Sequence, residues 1–293
     1  MRIRRSMLFI PGNNPAMMLN APILGADTII FDIEDAVQYQ DKDAARVLIR
    51  NALKTFPRDR IEFAVRINDV TTPYWREDLE TIVEGRPDAV VVPKAEHADK
   101  MEMLDQFVLD LERKHGLPER GIKFLPLLET ALGIQNAYQV AGTCKGRSDG
   151  LMMGNEDLMT DLCGVRTEDG WEVFFARQQV VIAARAAGLP PIDSAYADVE
   201  NIEGLKKDTH FSRTLGYAGR AIVSPRHVRI VNDEWTPSDA EIKYAHEVMD
   251  VLEDAKKSGR GAVTLYGKMI DAPLVERARR ILGIADMIRK GEK

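Results

Sequence analysis

Three carboxylates follow a short apolar run near the start of the chain. The stretch IIFDIEDAV, residues 29–37, leads directly into Asp32, Glu34 and Asp35. Other polar or charged residues follow seven similar runs: Asn13, Arg66, Asn68, Lys94, Glu129, Glu156, Asp157, Asp193 and Ser224. Carboxylates gathered in one place repel one another unless a cation lies among them. If these residues are neighbours in the fold, the pattern predicts a metal site.

The protein ligands expected for this metal are carboxylates. All-oxygen ligands suit a hard ion, and one or two carboxylates completed by water and substrate oxygens suit Mg²⁺. Glu129 and Asp157 are the strongest candidates, because each follows an apolar run and the two runs are consecutive. Four other residues are expected to surround these ligands and hold metal-bound waters or cations: Asp32, Glu34, Asp35 and Lys94. For any single acid an alternative stays open, since Asp157 could cap a helix and Asp35 could lie in a turn.

Two cations lie among these acids, Arg66 in FAVRIN and Lys94 in VVVPKAE. A cation within a buried strand is costly unless it is paired. Arg66 either pairs with Glu34 or Asp35, or points its guanidinium at a substrate carboxylate or a developing oxyanion. Lys94 has the same two interpretations. Four residues are assigned to substrate binding: Arg66, Glu129, Asn13 and Asp193. Such a site suits a reaction through an enolate.

The elements that would position these residues are short strands and helices in alternation. The apolar runs are near-continuous, as in parallel strands covered on both faces. They occupy residues 6–13, 27–35, 62–68, 88–96, 123–130, 149–157, 190–198 and 220–227. Amphipathic patterns predict helices between them, for example over residues 41–54 and 169–187. Eight repeats of this alternation predict an α/β fold, a (β/α)8 TIM barrel over residues 1–232, whose strand ends meet at one rim.

The alternative fold is an open doubly wound sheet. That fold usually carries a G-x-G-x-x-G turn after its first strand, and PGNNP at residues 11–15 does not match it. Residues 233–293 are predicted to form a C-terminal helical extension, with a helix that starts at Thr236-Pro237-Ser238-Asp239 and an exposed glycine-rich loop before a last helix. The extension is expected to pack on the barrel or on a neighbouring subunit and to complete the active site.

Composition excludes several classes of function. A net charge of −6 over 293 residues argues against a nucleic-acid-binding protein. No stretch approaches the roughly 20 apolar residues of a membrane span. Only two cysteines are present, Cys144 and Cys163, which suggests a reducing compartment and a cytoplasmic protein. The five histidines show no zinc spacing, and no G-x-S-x-G motif is present.

Several motifs together resemble those of one family. They are RRSMLFIPGNNPAM, GADTIIFDIEDAV, VRIN, PKAE, LLETALGIQNA, GNEDLMTDLCG, ARAAGLPPIDSAYAD and YGKMIDAPLVERAR. In order and over nearly the whole chain, they resemble the citrate lyase β-subunit and CitE-like group of the HpcH/HpaI aldolase–citrate lyase superfamily. The resemblance implies a TIM barrel with an extension, assembled as a trimer or hexamer. It also implies Mg²⁺-dependent retro-Claisen cleavage of a 3-hydroxyacyl thioester, such as citryl-CoA or a citryl acyl-carrier protein.

The resemblance also implies roles for individual residues. Glu129 in LLET and Asp157 in GNEDL match the family's metal ligands. Arg66 in VRIN matches the residue that contacts the substrate carboxylate or thioester oxygen. Asp271 in GKMID matches a catalytic acid/base that reaches a neighbouring subunit's site, whereas the residues alone predict that Asp271 caps the last helix.

Several alternatives stay open within and beyond this family. The acyl group could be citryl, malyl or citramalyl, and the carrier could be CoA or an acyl-carrier protein. The chain could act alone or with acyl-carrier and transferase subunits. A 2-keto acid aldolase that uses no thioester is a second enzyme hypothesis, and a catalytically silent subunit that positions a carrier protein is a third.

Overall fold

The protein folds around a closed barrel of eight parallel strands. The computed structural model describes residues 2–58, 60–257 and 263–291. Each strand pairs with the next in chain order, and the eighth pairs with the first. The strands are β1 (Ser6–Pro11), β2 (Thr28–Asp32), β3 (Glu62–Arg66), β4 (Ala89–Val92), β5 (Lys123–Leu128), β6 (Leu151–Met153), β7 (Pro191–Asp193) and β8 (Gly219–Ile222). This topology confirms the predicted (β/α)8 barrel and excludes the open sheet.

Apolar side chains from the strands fill the inside of the barrel. This interior cluster comprises Met7, Ile30, Ala64, Ala89, Val91, Leu125, Leu127, Met152, Ile192 and Ala221. The strand register places Asp32, the last residue of β2, between Pro11 of β1 and Arg66 of β3. The packed interior therefore leaves the carboxyl-terminal ends of the strands as the place where polar residues gather.

Helices follow the strands. They are α1 (Pro15–Asn20), α2 (Lys42–Thr55), α3 (Trp75–Gly85), α4 (Ala98–Lys114), α5 (Ala131–Gln135), α6 (Ala137–Gly142), α7 (Asn155–Asp161), α8 (Trp171–Ala186), α9 (Ile202–Leu215) and α10 (His227–Trp235). Short 3-10 turns cover Ala21–Ile23 and Tyr39–Asp41. Helices α2 and α8 confirm the two predicted from periodicity. None of the helices within the described residues has the length and apolar character needed to cross a bilayer.

The chain divides into two compact units, Arg4–Asn232 and the segment Asp233–Lys293 together with the first three residues. The second unit contains α11 (Asp239–Lys257) and α12 (Ala272–Lys290). Its buried core is made by Ala245, Val248, Ile270, Val275 and Ala278. Residues 258–271 were predicted to be a loop, and 258–262 lie outside the described residues. The structure instead shows a short antiparallel hairpin of β9 (Thr264–Leu265) and β10 (Lys268–Met269).

Candidate active site

A cavity of about 470 Å³ lies at the carboxyl-terminal ends of the strands. Apolar side chains of the barrel interior, including Leu127, Met152 and Ala221, form part of its lining. Five carboxylates and one guanidinium also line it: Asp32, Asp35, Glu129, Glu156, Asp157 and Arg66. The structure thus brings together both predicted metal ligands and Arg66. Asn13, Glu34, Lys94 and Asp193 do not belong to this lining.

Arg66 is held by three carboxylates. Its Nε and Nη2 donate to the two oxygens of Asp32, each at 2.7 Å. Its Nη1 lies 3.1 Å from Glu34 Oε2 and 3.3 Å from Asp35 Oδ2. Burial alone would lower the pKa of Arg66, but the hydrogen bonds and negative charge of Asp32 raise it further than burial lowers it. The pairing interpretation of Arg66 is therefore observed, and the guanidinium also borders the cavity, 5.1 Å from the Phe9 ring.

Asp32 fixes the loop that follows β2. Besides the two hydrogen bonds from Arg66, its carboxylate accepts a hydrogen bond from the main-chain N–H of Glu34 at 2.9 Å and one from that of Ala36 at 3.1 Å. The carboxylates at the tip of this strand are thus tolerated together because one is saturated by hydrogen bonds and all three face Arg66.

Lys94 contacts two acids with two different groups. Its Nζ donates to Glu34 Oε1 at 2.8 Å, and its main-chain N–H donates to Glu129 Oε1 at 2.9 Å. The backbone of Lys94 is left-handed, with φ of 45°, a conformation that is uncommon outside glycine. Burial alone would lower the pKa of Lys94, but the hydrogen bond and charge of Glu34 raise it. Lys94 therefore supports Glu129 from outside the cavity lining.

Glu129 is the most strongly perturbed acid of the cavity. The residue is only 2% exposed. Burial raises the pKa of Glu129 to about 8, with the charge of Glu34 acting in the same direction and the Lys94 N–H opposing. The nearby charge of Asp157 raises this pKa further. Near neutral pH and without a cation, the site therefore favours a proton on Glu129.

Gly154 lets the loop after β6 approach Glu129 closely. A Cβ atom at Gly154 would lie 2.7 Å from Glu129 Cβ and 2.8 Å from its Oε2. Any larger residue would therefore displace the Glu129 side chain. This requirement was not recognised in the sequence, because a glycine before a helix is also an ordinary turn residue.

The residues of the cavity fit a hard divalent cation. Within residues 2–58, 60–257 and 263–291, no group of three or more protein ligands is preassembled. Glu129 and Asp157 supply two carboxylates to one cavity, which leaves coordination positions for water or substrate oxygens. A cation between them would favour the ionised form of Glu129, which burial disfavours.

Asp193 is placed away from the cavity, contrary to its assignment to the substrate. The preceding residue, Ile192, belongs to the barrel interior, and side chains alternate along a strand. Asp193 therefore faces outwards, where it is fully buried and accepts hydrogen bonds from Arg177 and from the main chain of Ser194. Its carboxylate is occupied in holding α8 against β7.

Asn13 and Asp271 are also engaged elsewhere. Asn13 Nδ2 lies 3.4 Å from Asp41 Oδ2, outside the cavity lining. Asp271, in the second unit, accepts the main-chain N–H of Leu274 at 3.0 Å and caps α12, as the residues alone predict. Its role as acid/base stays a prediction.

Two cavity residues were not identified from the sequence. Asn155 is the first residue of α7, and its main-chain N–H donates to Ser194 Oγ at 3.0 Å. Both residues line the cavity. Their position just after strands β6 and β7 was the available signal, but a neutral Asn or Ser at such a position is also an ordinary turn or cap residue.

Comparison with known proteins identifies the family. Residues 5–225 match the model of the HpcH/HpaI aldolase/citrate lyase family. The chain is 38% identical to citrate lyase subunit beta of Leuconostoc mesenteroides subsp. cremoris, with 97% of this chain and 94% of that protein covered. It is 30% identical to mitochondrial citramalyl-CoA lyase of Rattus norvegicus, with 98% and 87% covered.

A solved structure shows the same architecture. The protein CitE from Mycobacterium tuberculosis, in complex with magnesium, acetoacetate and coenzyme A, superposes with a TM-score of 0.75 at 30% identity, covering 96% of this chain and 97% of that one. The motifs, the closed barrel and these similarities agree. The chain therefore belongs to the HpcH/HpaI aldolase/citrate lyase family.

Proposed function

We propose that this protein is a Mg²⁺-dependent carbon–carbon lyase that cleaves a citryl thioester into oxaloacetate and an acetyl thioester. The observation that carries the proposal is that buried Glu129 and Asp157 line the same acid-rich cavity at the barrel rim. The similarity to citrate lyase subunit beta supports the substrate class. Magnesium in the complex of the M. tuberculosis protein supports the metal.

Glu129 and Asp157 would hold the metal through carboxylate oxygens, with Lys94 fixing Glu129 from behind. When bound, Mg²⁺ supplies a positive charge that polarises the hydroxyl and carboxylate oxygens of the substrate. Asp32, Glu34 and Asp35 have a different role. They form ion pairs with the Arg66 guanidinium, which hold it in place and balance their negative charge.

The chemistry at the protein's own residues is a retro-Claisen step. A base accepts the proton of the substrate hydroxyl, the C–C bond breaks, and its electron pair becomes the enolate of the thioester. Arg66, which lines the cavity, would donate a hydrogen bond to the enolate oxygen, and protonation of the enolate carbon gives the acetyl thioester. By resemblance, Asp271 of a neighbouring subunit would act as the acid/base, in a trimer or hexamer.

One alternative substrate is favoured by a specific similarity. The citramalyl-CoA lyase of Rattus norvegicus covers 98% of this chain, and a citramalyl group differs from a citryl group only by a methyl in place of a carboxymethyl substituent. The carrier, CoA or an acyl-carrier protein with its partner subunits, and a cytoplasmic location belong to the same proposal.

The test is keto-acid release from purified protein with Mg²⁺ and citryl-, malyl- or citramalyl-CoA. We expect release from citryl-CoA that stops with EDTA. Glu129→Ala and Asp157→Ala are each expected to abolish turnover in a folded protein, whereas Glu119→Ala, at an exposed ion pair with Arg113, serves as the control. Activity that persists in EDTA would contradict the metal role, and activity only with an acyl-carrier protein would assign the carrier.

A further inference from the structure

Within the part of the chain that the structure describes, the side-chain amide of Asn155 has no hydrogen-bond partner. The residue is 4% exposed, and its main-chain N–H is fixed to Ser194 Oγ. Its Oδ1 is buried and accepts no hydrogen bond from the described residues. An unpaired buried amide oxygen destabilises a folded protein, so the amide group of Asn155 does not contribute to the stability of the fold. Such a group in a cavity wall suggests a contact with a ligand.

The amide nitrogen is the end that a ligand can reach. Oδ1 is closed off from solvent, Nδ2 is not among the closed-off atoms of the described residues, and Asn155 lines the cavity, so Nδ2 is the end of the amide that is available to a ligand there. Among the described lining residues, Arg66 and Asn155 are the two whose side chains carry nitrogen donors. Arg66 is already paired with three carboxylates. Among the described lining residues, Asn155 is therefore the side-chain nitrogen donor that no carboxylate engages, and the Ser194 hydroxyl is the other neutral polar group.

A citryl group needs such a donor. Under the proposed function, on which this inference rests, the metal would take the hydroxyl and its adjacent carboxylate, and Arg66 would donate a hydrogen bond to the thioester oxygen. The second carboxylate, on the carboxymethyl substituent, then lies in an acidic cavity without a partner. We propose that Asn155 donates Nδ2–H to this second carboxylate and thereby selects a citryl over a citramalyl group. Asn155 is thus a specificity-determining residue.

The test compares two substrates in one variant. Asn155→Ala removes the amide but keeps the main-chain bond to Ser194. We expect kcat/KM for citryl-CoA to fall by about 10- to 100-fold more than for citramalyl-CoA, the loss typical of one hydrogen bond to a charged group. Ser194→Ala disturbs the same loop while it keeps the amide, so it is expected to change both substrates by similar factors.

Product binding separates this inference from the proposed function. With Mg²⁺ present, Asn155→Ala is expected to raise the Kd of oxaloacetate by about 10- to 100-fold more than that of pyruvate. A wild-type protein that cleaves no thioester would refute the proposed function, and the two keto acids would still decide the role of Asn155. Equal losses for both substrates and for both keto acids, no loss at all, or failure of the wild-type protein to bind either acid would overturn it.

Discussion

The affinity for Mg²⁺ should depend steeply on pH, because Glu129 must lose a proton to bind the metal. Burial raises the pKa of this carboxyl to about 8 from an ordinary value of 4.5. A carboxylate ligand binds Mg²⁺ only in its ionised form, so proton release and metal binding are coupled. The quantity to vary is therefore the pH at which Mg²⁺ binding is measured. Glu129→Gln serves as the comparison, because its side chain cannot ionise.

The size of the effect follows from this pKa. At about pH 7 roughly a tenth of Glu129 is ionised, and at about pH 6 roughly a hundredth. The Kd for Mg²⁺ should therefore fall about tenfold for each pH unit up to about 8 and level off above it. At about pH 7, binding one Mg²⁺ should release about 0.9 protons.

Titration calorimetry measures both quantities. The Kd is determined at several pH values, and the proton release follows from repeating the titration in buffers of different ionisation enthalpy. Glu129→Gln is expected to bind Mg²⁺ more weakly and with little pH dependence. A wild-type Kd that stays constant between about pH 6 and about pH 8 would refute the coupling, since an acid of ordinary pKa gives that result.

Three further outcomes are expected. Because the folded-state pKa of Glu129 is raised, the metal-free protein should lose a few kcal/mol of stability as pH rises from about 4.5 to about 8. Thermal unfolding with and without Mg²⁺ measures this loss, and stability that rises with pH over this window would contradict it. Gly154→Ala should push the Glu129 side chain aside and raise the Kd for Mg²⁺ by about tenfold or more. Gly142→Ala, where a Cβ meets nothing within 4 Å, should leave this Kd unchanged, and equal Kd values for the two variants would contradict the prediction. Arg66→Lys cannot reproduce the two hydrogen bonds to Asp32, so kcat/KM should fall by about 100-fold or more, and wild-type activity in this variant would contradict the role of the guanidinium.

The barrel could be predicted from the sequence because its signal is repeated. Eight apolar runs alternate with helical patterns, and any one of them can be misassigned without changing the architecture. The gathering of Arg66, Glu129 and Asp157 in one cavity follows from this architecture alone, since parallel strands place their carboxyl ends at one rim.

The details of the site depend on features that a single sequence does not carry. Whether Asp193 faces the cavity depends on which of two successive strand residues points inwards, and Ile192 takes that position. The need for glycine at residue 154 arises from a side chain 25 residues earlier in the chain, at Glu129. The unpaired amide of Asn155 can be recognised only when all its neighbours are known.

We propose above that Glu129 and Asp157 bind one divalent cation at the barrel rim. Crystals grown with Mn²⁺ in place of Mg²⁺ test this directly, because anomalous scattering locates the manganese. The expected result is one peak about 2.2 Å from a carboxylate oxygen of each residue. No peak at saturating Mn²⁺, or a peak bonded to neither carboxylate, would contradict it.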